Sequence, residues 1–413
     1  MKKYLLSLLI LSSLYLLPSH ALAATKPTFW QVQSIDTMKY SRDVARQYLN
    51  DPKYDDTIDA QVKVISETGA THVAIATPYD AEFVPFLDRW VKAVRKYHLN
   101  VWFRGNLAGW ENWFNYPDLT PSEHTAEILE FIKNNPNIFA DDDIFTSCPE
   151  CENGGVGDPR QTGKVKEYRQ FLISEHDAVR KVFDSLGKQI TTNYYSMNAD
   201  VARLVMDKDT TTSLGGIVTI DHYVATPEKL AFDIQNIAES SGGLIVLGEW
   251  GAPIPDIHGK MDEKAQADWI SKSLELLVKS PFLIGLNYWT NQGSSTALWN
   301  SPQKPKEAVI ALKSYYHPKA VDLTIKNTAG RPLFANINYL SRGYSTDKNG
   351  KVSLPWPGYS SEFSLQVTGY KTQTLTLTPD NKSLLLDPEQ KNWWYQVHLL
   401  TYRLSQFIIH LIK

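Results

Sequence analysis

Two hydrophobic patterns divide the chain into unequal parts. Between residue 30 and about residue 316, short apolar runs rich in valine, isoleucine and aromatic residues alternate with longer amphipathic segments. Such runs are typical of buried parallel strands, and apolar residues at helical spacing predict helices between them. The predicted strands are residues 30–36, 72–77, 100–106, 143–149, 190–195, 216–222, 244–249 and 283–289. The predicted helices include residues 80–98, 121–134, 168–186, 227–239 and 263–279. This order predicts an α/β fold, a (β/α)8 TIM barrel over residues 28–316.

After residue 316 the apolar residues fall at alternate positions. Alternation with period two predicts half-buried strands, and turn residues such as Lys348-Asn349-Gly350 separate the segments. The predicted strands are residues 321–326, 333–340, 350–354, 363–368 and 372–377. We therefore expect a small antiparallel β-sandwich over residues 320–380. No chemistry is indicated within it, so it is interpreted as an accessory domain.

The amino-terminal segment has the pattern of an export signal. Two lysines precede an apolar run over residues 4–17, and Ala21-Leu22-Ala23 follows as a small-residue cleavage pattern. These features predict a secretory signal peptide over residues 1–23, with an uncleaved anchor as the alternative. The mature protein is then expected outside the cytoplasm, in the extracellular space, the periplasm or the cell envelope.

The carboxyl-terminal segment, residues 388–413, is rich in tryptophan, leucine and isoleucine but contains Arg403 near its middle. A charged side chain at the centre of a membrane span is costly. The segment therefore predicts an amphipathic helix that either docks on the protein or lies at a membrane surface. A membrane span is the third alternative.

Composition excludes several classes of function. The formal net charge is −3, which gives no electrostatic basis for nucleic-acid binding. The sequence has no glycine-rich phosphate loop and no Gly-x-Ser-x-Gly nucleophile motif, so neither an organic cofactor nor a metal is predicted. The two cysteines, Cys148 and Cys151, lack the second pair that a zinc site made only of cysteines requires. They favour a local disulfide, or two thiols that shape the loop after the fourth strand.

Two glutamates end apolar runs in the predicted barrel. Glu249 ends the seventh strand, and Glu150 directly follows the fourth. Catalytic residues of TIM barrels cluster at the carboxyl ends of the strands, so the two carboxylates are expected to meet. Paired carboxylates are what hydrolysis of a glycosidic bond requires. Glu152 lies two residues beyond Glu150 and is a rival for the same role.

Polar and aromatic residues follow the other predicted strands at the same face. Amides and charged groups can bind sugar hydroxyls, and aromatic rings suit the apolar faces of sugars. The expected substrate-binding residues are Arg104, Asn106, Trp110, Glu152, Asn153, Asn193, Tyr194, His222, Tyr223, Trp250 and Trp289. Among them, Arg104 and Tyr223 are expected to hold Glu249, and Trp289 and Trp250 to form the floor of the sugar subsite. Trp110, with Trp113, is expected to form an outer platform.

With these residues identified, the chain resembles the retaining clan of (β/α)8 glycoside hydrolases that includes the cellulase-like and β-mannanase families. The resemblance covers residues 28–316 and implies Glu150 as acid/base and Glu249 as nucleophile. It also implies substrate contacts from the ends of the sixth and eighth strands. One departure is that Pro149 stands before Glu150, where the clan usually has a sugar-binding asparagine. Asn153 and Asn193 are the candidate substitutes.

The sandwich resembles transthyretin-like or carboxypeptidase-regulatory-like modules, on residues 328–333 and 346–351. With the predicted signal peptide and the two glutamates, the resemblance of the barrel implies a secreted glycosidase acting on a β-linked poly- or oligosaccharide by double displacement. A non-catalytic glycan-binding barrel and a transglycosylase or exopolysaccharide-processing enzyme are the alternatives. The expected partner is the glycan, with a membrane surface or the cell envelope as a further possibility through residues 388–413.

Overall fold

The computed structural model describes residues 27–37 and 41–387. The predicted signal peptide and the segment 388–413 lie outside the described residues. Within them, no helix combines the length and the apolar character needed to cross a membrane.

Eight parallel strands form one curled sheet at the centre of the larger domain. The strands are β1 Val32–Asp36, β2 His72–Ile75, β3 Asn100–Phe103, β4 Ile144–Phe145, β5 Ser196–Asn198, β6 Ile217–Asp221, β7 Leu244–Trp250 and β8 Leu283–Tyr288. Their order in the sheet is β4-β3-β2-β1-β8-β7-β6-β5. A parallel bridge between Ile144 and Thr191 joins the β4 edge to the chain just before β5. The TIM-barrel fold class expected from the sequence is therefore confirmed.

Helices follow the strands around the sheet. The helices are α1 Ser41–Tyr48, α2 Tyr54–Ser66, α3 Val84–Lys96, α4 Pro121–Asn134, α5 Pro159–Thr162, α6 Val165–Ser185, α7 Ala199–Val205, α8 Lys208–Ser213, α9 Pro227–Ser241, α10 Pro255–His258, α11 Glu263–Leu277 and α12 Glu307–Tyr316. Helices α4 and α9 begin at prolines, because proline suits the first turn and the preceding Thr120 and Thr226 accept hydrogen bonds from backbone N–H groups there.

The fifth strand differs from its prediction. Residues 190–195 were expected to form it, whereas the structure has only the bridge at Thr191 and places β5 at Ser196–Asn198. The Asn193 side chain donates a hydrogen bond to the carbonyl of Leu214, which ties this part of the chain to the loop before β6. The apolar composition of residues 190–195 thus indicated roughly where the fifth strand lies, but not which residues pair with strand β6.

The barrel interior is filled by side chains and is not a pore. Six buried residues from five of the strands and the segment before β5 form a separate cluster there: Val32, Ala74, Trp102, Ile144, Tyr194 and Val246. A much larger apolar cluster packs between the strands and the surrounding helices. These two layers leave the carboxyl ends of the strands as the place where polar side chains gather.

Beyond the barrel, a short hairpin and a two-sheet module complete the described chain. The remaining strands are β9 Trp299–Ser301, β10 Lys304–Pro305, β11 Lys319–Asn327, β12 Asn336–Tyr339, β13 Arg342–Ser345, β14 Lys351–Trp356, β15 Ser361–Gln366, β16 Gln373–Leu377 and β17 Ser383–Leu386. One sheet has the order β14-β11-β17 and the other β13-β12-β15-β16. Strands β13 and β17 were not predicted, and β17 pairs with β11 in parallel.

Candidate active site

A cleft of about 320 Å³ opens at the carboxyl ends of the barrel strands. It is lined by Asp36, Ser41, Arg42, Ala76, Arg104, Asn106, Glu111, Trp113, Pro149, Glu150, Glu249 and Trp289. Both predicted catalytic glutamates therefore line one cavity. A larger groove of about 760 Å³ between helix α12 and the sandwich contains none of the predicted site residues.

Glu249 is held by two donors at the end of strand β7. Arg104 Nη1 donates to Oε1 at 3.1 Å, and the Tyr223 hydroxyl donates to Oε2 at 2.8 Å. The carboxylate keeps 19% of its side-chain surface exposed, and this exposed part faces the cleft. Both oxygens are thus fixed while one face stays open, as a nucleophile requires.

Gly248 allows this arrangement to form. A Cβ atom at residue 248 would lie 2.4 Å from Asp221 Oδ1 and 2.8 Å from Ser196 Cβ. A side chain at residue 248 would collide with Asp221 on strand β6 and Ser196 on strand β5. The glycine of the Gly-Glu-Trp-Gly sequence is therefore required by the close approach of neighbouring strands.

Arg104 links Glu249 to two buried aspartates. Its Nη2 donates to Asp221 Oδ2 at 3.2 Å and to Ser196 Oγ at 3.0 Å, and its Nη1 lies 3.5 Å from Asp36 Oδ2. Burial raises the pKa of Asp36 to about 7, although the charge of Arg104 opposes the shift. Burial likewise raises the pKa of Asp221 well above its usual range, again against the effect of Arg104. One guanidinium therefore organises three carboxyl groups.

Glu150 has the environment of a general acid. Burial and the nearby charges of Glu249 and Glu152 together raise the pKa of its carboxyl to about 8, and the charge of Arg104 opposes the shift. A carboxyl with this pKa carries a proton at neutral pH and can donate it to a leaving oxygen. The different environments of Glu150 and Glu249 match the two roles that double displacement needs.

Glu152 is occupied by structural hydrogen bonds. Its Oε1 accepts from the backbone N–H of Asn198 at 2.8 Å, and its Oε2 accepts from the Tyr168 hydroxyl at 3.1 Å. The residue is 6% exposed and is not part of the cleft wall. This geometry favours Glu150 over Glu152 as the acid/base.

Of the predicted tryptophans, Trp289 lines the cleft. Its ring meets Tyr223 edge to face, with ring centroids 6.0 Å apart. Trp250 was expected in the subsite floor, but it is fully buried against Trp269 and Tyr288. It follows Glu249 directly, and successive side chains of a strand point to opposite faces, so only one of the two can face the cleft.

Trp110 was expected as an outer platform, and this is also wrong. The ring is buried and stacks on Phe171 at 5.4 Å. A Cβ atom at Gly154 would lie 2.2 Å from its Nε1, so the loop after strand β4 covers it directly. Trp113, which was predicted for the same platform, does line the cleft, with the Arg42 guanidinium 4.5 Å from its ring centroid.

Three other predicted contacts point away from the cleft. His222 directs Nε2 toward Asp233 Oδ2 on helix α9, at 2.8 Å. Asn193 bonds to the loop before β6, and Tyr194 belongs to the apolar cluster inside the barrel. Side chains that alternate along an extended chain cannot all face the same way, so these three residues contact a helix, a loop and the barrel interior and not the cleft.

Two amides remain near Glu150. Asn106 lines the cleft, is almost fully buried, and donates to Glu111 Oε1 at 3.0 Å. Asn153 is exposed, and its Nδ2 lies 3.4 Å from Glu150 Oε2. Asn153 is thus the one candidate substitute that lies beside the acid/base.

Three acidic residues of this site were given no role in the predicted active site. Asp36 ends strand β1, Asp221 ends strand β6, and Glu111 follows the short helical turn after strand β3. Burial raises the pKa of Glu111 to about 7. An aspartate at the end of an apolar strand is the same signal that identified Glu249, and it could have found Asp36 and Asp221.

A compact set of potential metal ligands lies behind the cleft. Within residues 27–37 and 41–387, His124, Cys148 and Glu175 offer ligand atoms within 4.8 Å of one another. Cys148 forms a disulfide with Cys151, as the spacing favoured. A disulfide sulfur is not the thiolate that metal binding uses, so this group does not fit a metal centre.

Solved structures share the barrel at low sequence identity. The GH5_18 protein of Streptomyces cattleya, in complex with Manβ1-4GlcNAc, aligns with 72% of this chain and 85% of its own, at 13% identity and a TM-score of 0.52. The GH5_18 protein of Bifidobacterium longum aligns over 73% and 84%, at 14% identity and a TM-score of 0.48. A β-glucuronidase from an uncultured Clostridium species aligns over 71% and 51%, at 16% identity and a TM-score of 0.47.

Neither a protein family nor a curated protein matches the amino-acid sequence. The likeness to the Streptomyces cattleya structure confirms, at the level of fold, the resemblance to (β/α)8 glycoside hydrolases.

Proposed function

We propose that this protein is a glycoside hydrolase that cleaves a β-linked poly- or oligosaccharide with retention of configuration. Glu249 is the nucleophile and Glu150 is the acid/base. The observation that carries the proposal is that both carboxyls line one cleft in opposite electrostatic settings. Glu249 accepts two hydrogen bonds from Arg104 and Tyr223, whereas burial raises the pKa of Glu150 to about 8.

The first step is attack on the anomeric carbon. The Glu249 carboxylate forms a bond to this carbon as the bond to the leaving oxygen breaks, and Glu150 gives its proton to that oxygen. In the second step Glu150, now ionised, takes a proton from water, and the water oxygen displaces Glu249. The ring of Trp289 supports the proposal as a floor for the apolar face of the sugar.

The fold adds support through the proteins that share it. The Streptomyces cattleya protein is seen with Manβ1-4GlcNAc. This complex supports β-linked sugars as the substrate class. Export through residues 1–23 belongs to the same proposal and is supported by the two lysines, the apolar run and the small-residue cleavage pattern of that segment.

Release of reducing ends from a panel of β-glycans tests the proposal, with the mature chain and its Glu249→Ala variant side by side. Hydrolysis of one polymer by the wild type and its loss in the variant would support a glycosidase. A product anomer opposite to that of the substrate would contradict retention. Binding of glycan by both proteins without hydrolysis would instead identify a carbohydrate-binding barrel. Transfer to a sugar acceptor in place of water would identify a transglycosylase.

A further inference from the structure

The turn that carries Glu150 lies inside a disulfide loop. Cys148 and Cys151 are bonded, with Cα atoms 5.3 Å apart, so Pro149 and Glu150 are the two residues between the bridged positions. These are the only cysteines of the chain. Both are buried in the barrel core, whereas Glu150 lines the cleft. The bridge therefore anchors both flanks of the proposed acid/base.

The backbone at Glu150 needs such an anchor. It adopts the left-handed conformation, with φ 47° and ψ 50°. Residues other than glycine rarely hold this conformation, and they do so where the surroundings over-determine it. The Glu150 N–H donates to the Ser196 carbonyl at 2.8 Å, and its carbonyl accepts from the Asn153 N–H at 2.9 Å.

The residue before Glu150 contributes little restraint of its own. Pro149 has no N–H to donate. Its carbonyl accepts from Asn106 Nδ2 at 3.4 Å, which is long for a hydrogen bond. On this side the turn is held by the buried Cys148 itself, and the disulfide ties Cys151, beyond Glu150, to the same anchor.

The core side of the bridge is rigid. Cys148 lies beside the buried pair of His124 and Glu175, whose Nδ1 and Oε2 atoms are 2.7 Å apart. Ser147, the residue before Cys148, donates to Glu175 Oε1 at 2.7 Å. The disulfide extends this fixed network to Cys151 on the far side of Glu150.

We propose that the Cys148–Cys151 disulfide is a positioning device for the acid/base, which holds the Glu150 carboxyl against the leaving oxygen. Opening the bridge impairs proton donation but leaves attack by Glu249 intact. The inference rests on the proposed function and adds redox control to the same site. A dithiol opens the bridge by a two-electron reduction: the S–S bond breaks, each sulfur becomes a thiol, and the dithiol closes to its own disulfide.

Leaving-group dependence tests the proposal with the Cys148→Ala/Cys151→Ala double variant. Two glycosides of the sugar that the wild type hydrolyses are compared, one with an alcohol and one with 2,4-dinitrophenolate as leaving group. The alcohol needs a proton and the dinitrophenolate does not. We expect kcat/KM to fall about 100-fold for the alcohol and to stay within about threefold for the dinitrophenyl glycoside. The Glu150→Ala variant should show the same selectivity, and dithiothreitol should reproduce it in the wild type but change nothing in the double variant.

Equal losses of kcat/KM on both glycosides would mean that the bridge only stabilises the fold, and no loss on either glycoside would mean that the bridge has no role. Both results overturn the proposal.

A second measurement needs no turnover. Carbon-13 NMR of labelled glutamate, with Glu150→Gln for assignment, follows the pKa of Glu150 in the wild type and the double variant. The value of about 8 should move toward the ordinary range when the turn opens. An unchanged pKa of Glu150 in the double variant would overturn the positioning role, whether or not the wild type hydrolyses a glycan. Failure of the wild type to hydrolyse any glycan would overturn the proposed function only.

Discussion

The two glutamates of the cleft reach it by different structural routes. Glu249 lies near the end of strand β7, where its carbonyl accepts from the His222 N–H at 2.9 Å and its side chain accepts from Arg104 and Tyr223. Glu150 sits in a left-handed turn closed by a disulfide, and the hydrogen-bond donor nearest its carboxyl is the Asn153 amide at 3.4 Å. Glu249 thus accepts from two donors within 3.1 Å, whereas the donor beside Glu150 is 3.4 Å away, and desolvation with neighbouring carboxylates raises the pKa of Glu150.

The largest expected loss of activity follows from replacing Glu249, the glutamate that accepts from Arg104 and Tyr223. The Glu249→Ala variant removes the group that forms the covalent bond, so kcat should fall by about 10⁴-fold or more. External azide or formate should restore part of the activity and give a product of inverted configuration. Rescue with retained configuration would show that Glu249 is not the nucleophile, and the comparison between the two glutamates would then break down.

Replacement of Glu150 is expected to have the second-largest effect. The Glu150→Gln variant should lose about 10²- to 10³-fold in kcat/KM on glycosides with alcohol leaving groups. In the wild type, Glu150 carries its proton below its pKa of about 8 and loses it above, so kcat/KM should fall tenfold per pH unit beyond about pH 8. This alkaline limb should disappear in the variant. Its persistence would assign the limb to another group.

The same substitution should change the pH dependence of stability. The pKa of Glu150 is raised on folding, from the ordinary value of 4.5 to about 8, so the folded state binds the proton more tightly. Stability that depends on this proton is present below pH 4.5 and is lost as the pH rises to about 8. We therefore expect the Tm of Glu150→Gln to exceed that of the wild type by an amount that grows across this window. Parallel Tm curves would argue that Glu150 is not buried as described.

A smaller effect is expected from the hydroxyl that orients the nucleophile. The Tyr223→Phe variant removes the 2.8 Å hydrogen bond to Glu249 and leaves Arg104 in place, so kcat should fall roughly tenfold. His222→Ala is the matched control, at the position directly before Tyr223. Because His222 contacts Asp233 on helix α9, it should lower the Tm more than the activity. A larger loss of activity than of Tm in His222→Ala would mean that His222 belongs to the active site.

The smallest effect on activity is expected at Glu152. Its two hydrogen bonds with Asn198 and Tyr168 are structural, so Glu152→Gln should change kcat/KM by less than about threefold and lower the Tm instead. Asp200→Asn, an exposed carboxylate nearby on helix α7, serves as the surface control. A loss of activity that matches Glu150→Gln would reverse the assignment of the acid/base.

The barrel and the two glutamates of the cleft could be predicted from the amino-acid sequence, although Glu150 lies in a turn beyond strand β4 and not at its end. Buried strands and amphipathic helices repeat with distinct periods, and this periodicity follows from local geometry. The start of helix α4 at Pro121 was predicted because the helix cap at Thr120 is also a local interaction.

Which of the residues at the strand ends enter the cleft depends on tertiary packing. Tyr223 faces Glu249 while His222 does not, and Glu249 faces the cleft while Trp250 is buried, because a shift of one residue reverses the face of a strand. The roles of Asp36 and Asp221 depend on sharing Arg104 across three strands, a contact between residues far apart in the chain. Packing sets these orientations, and packing is not a property of any local segment.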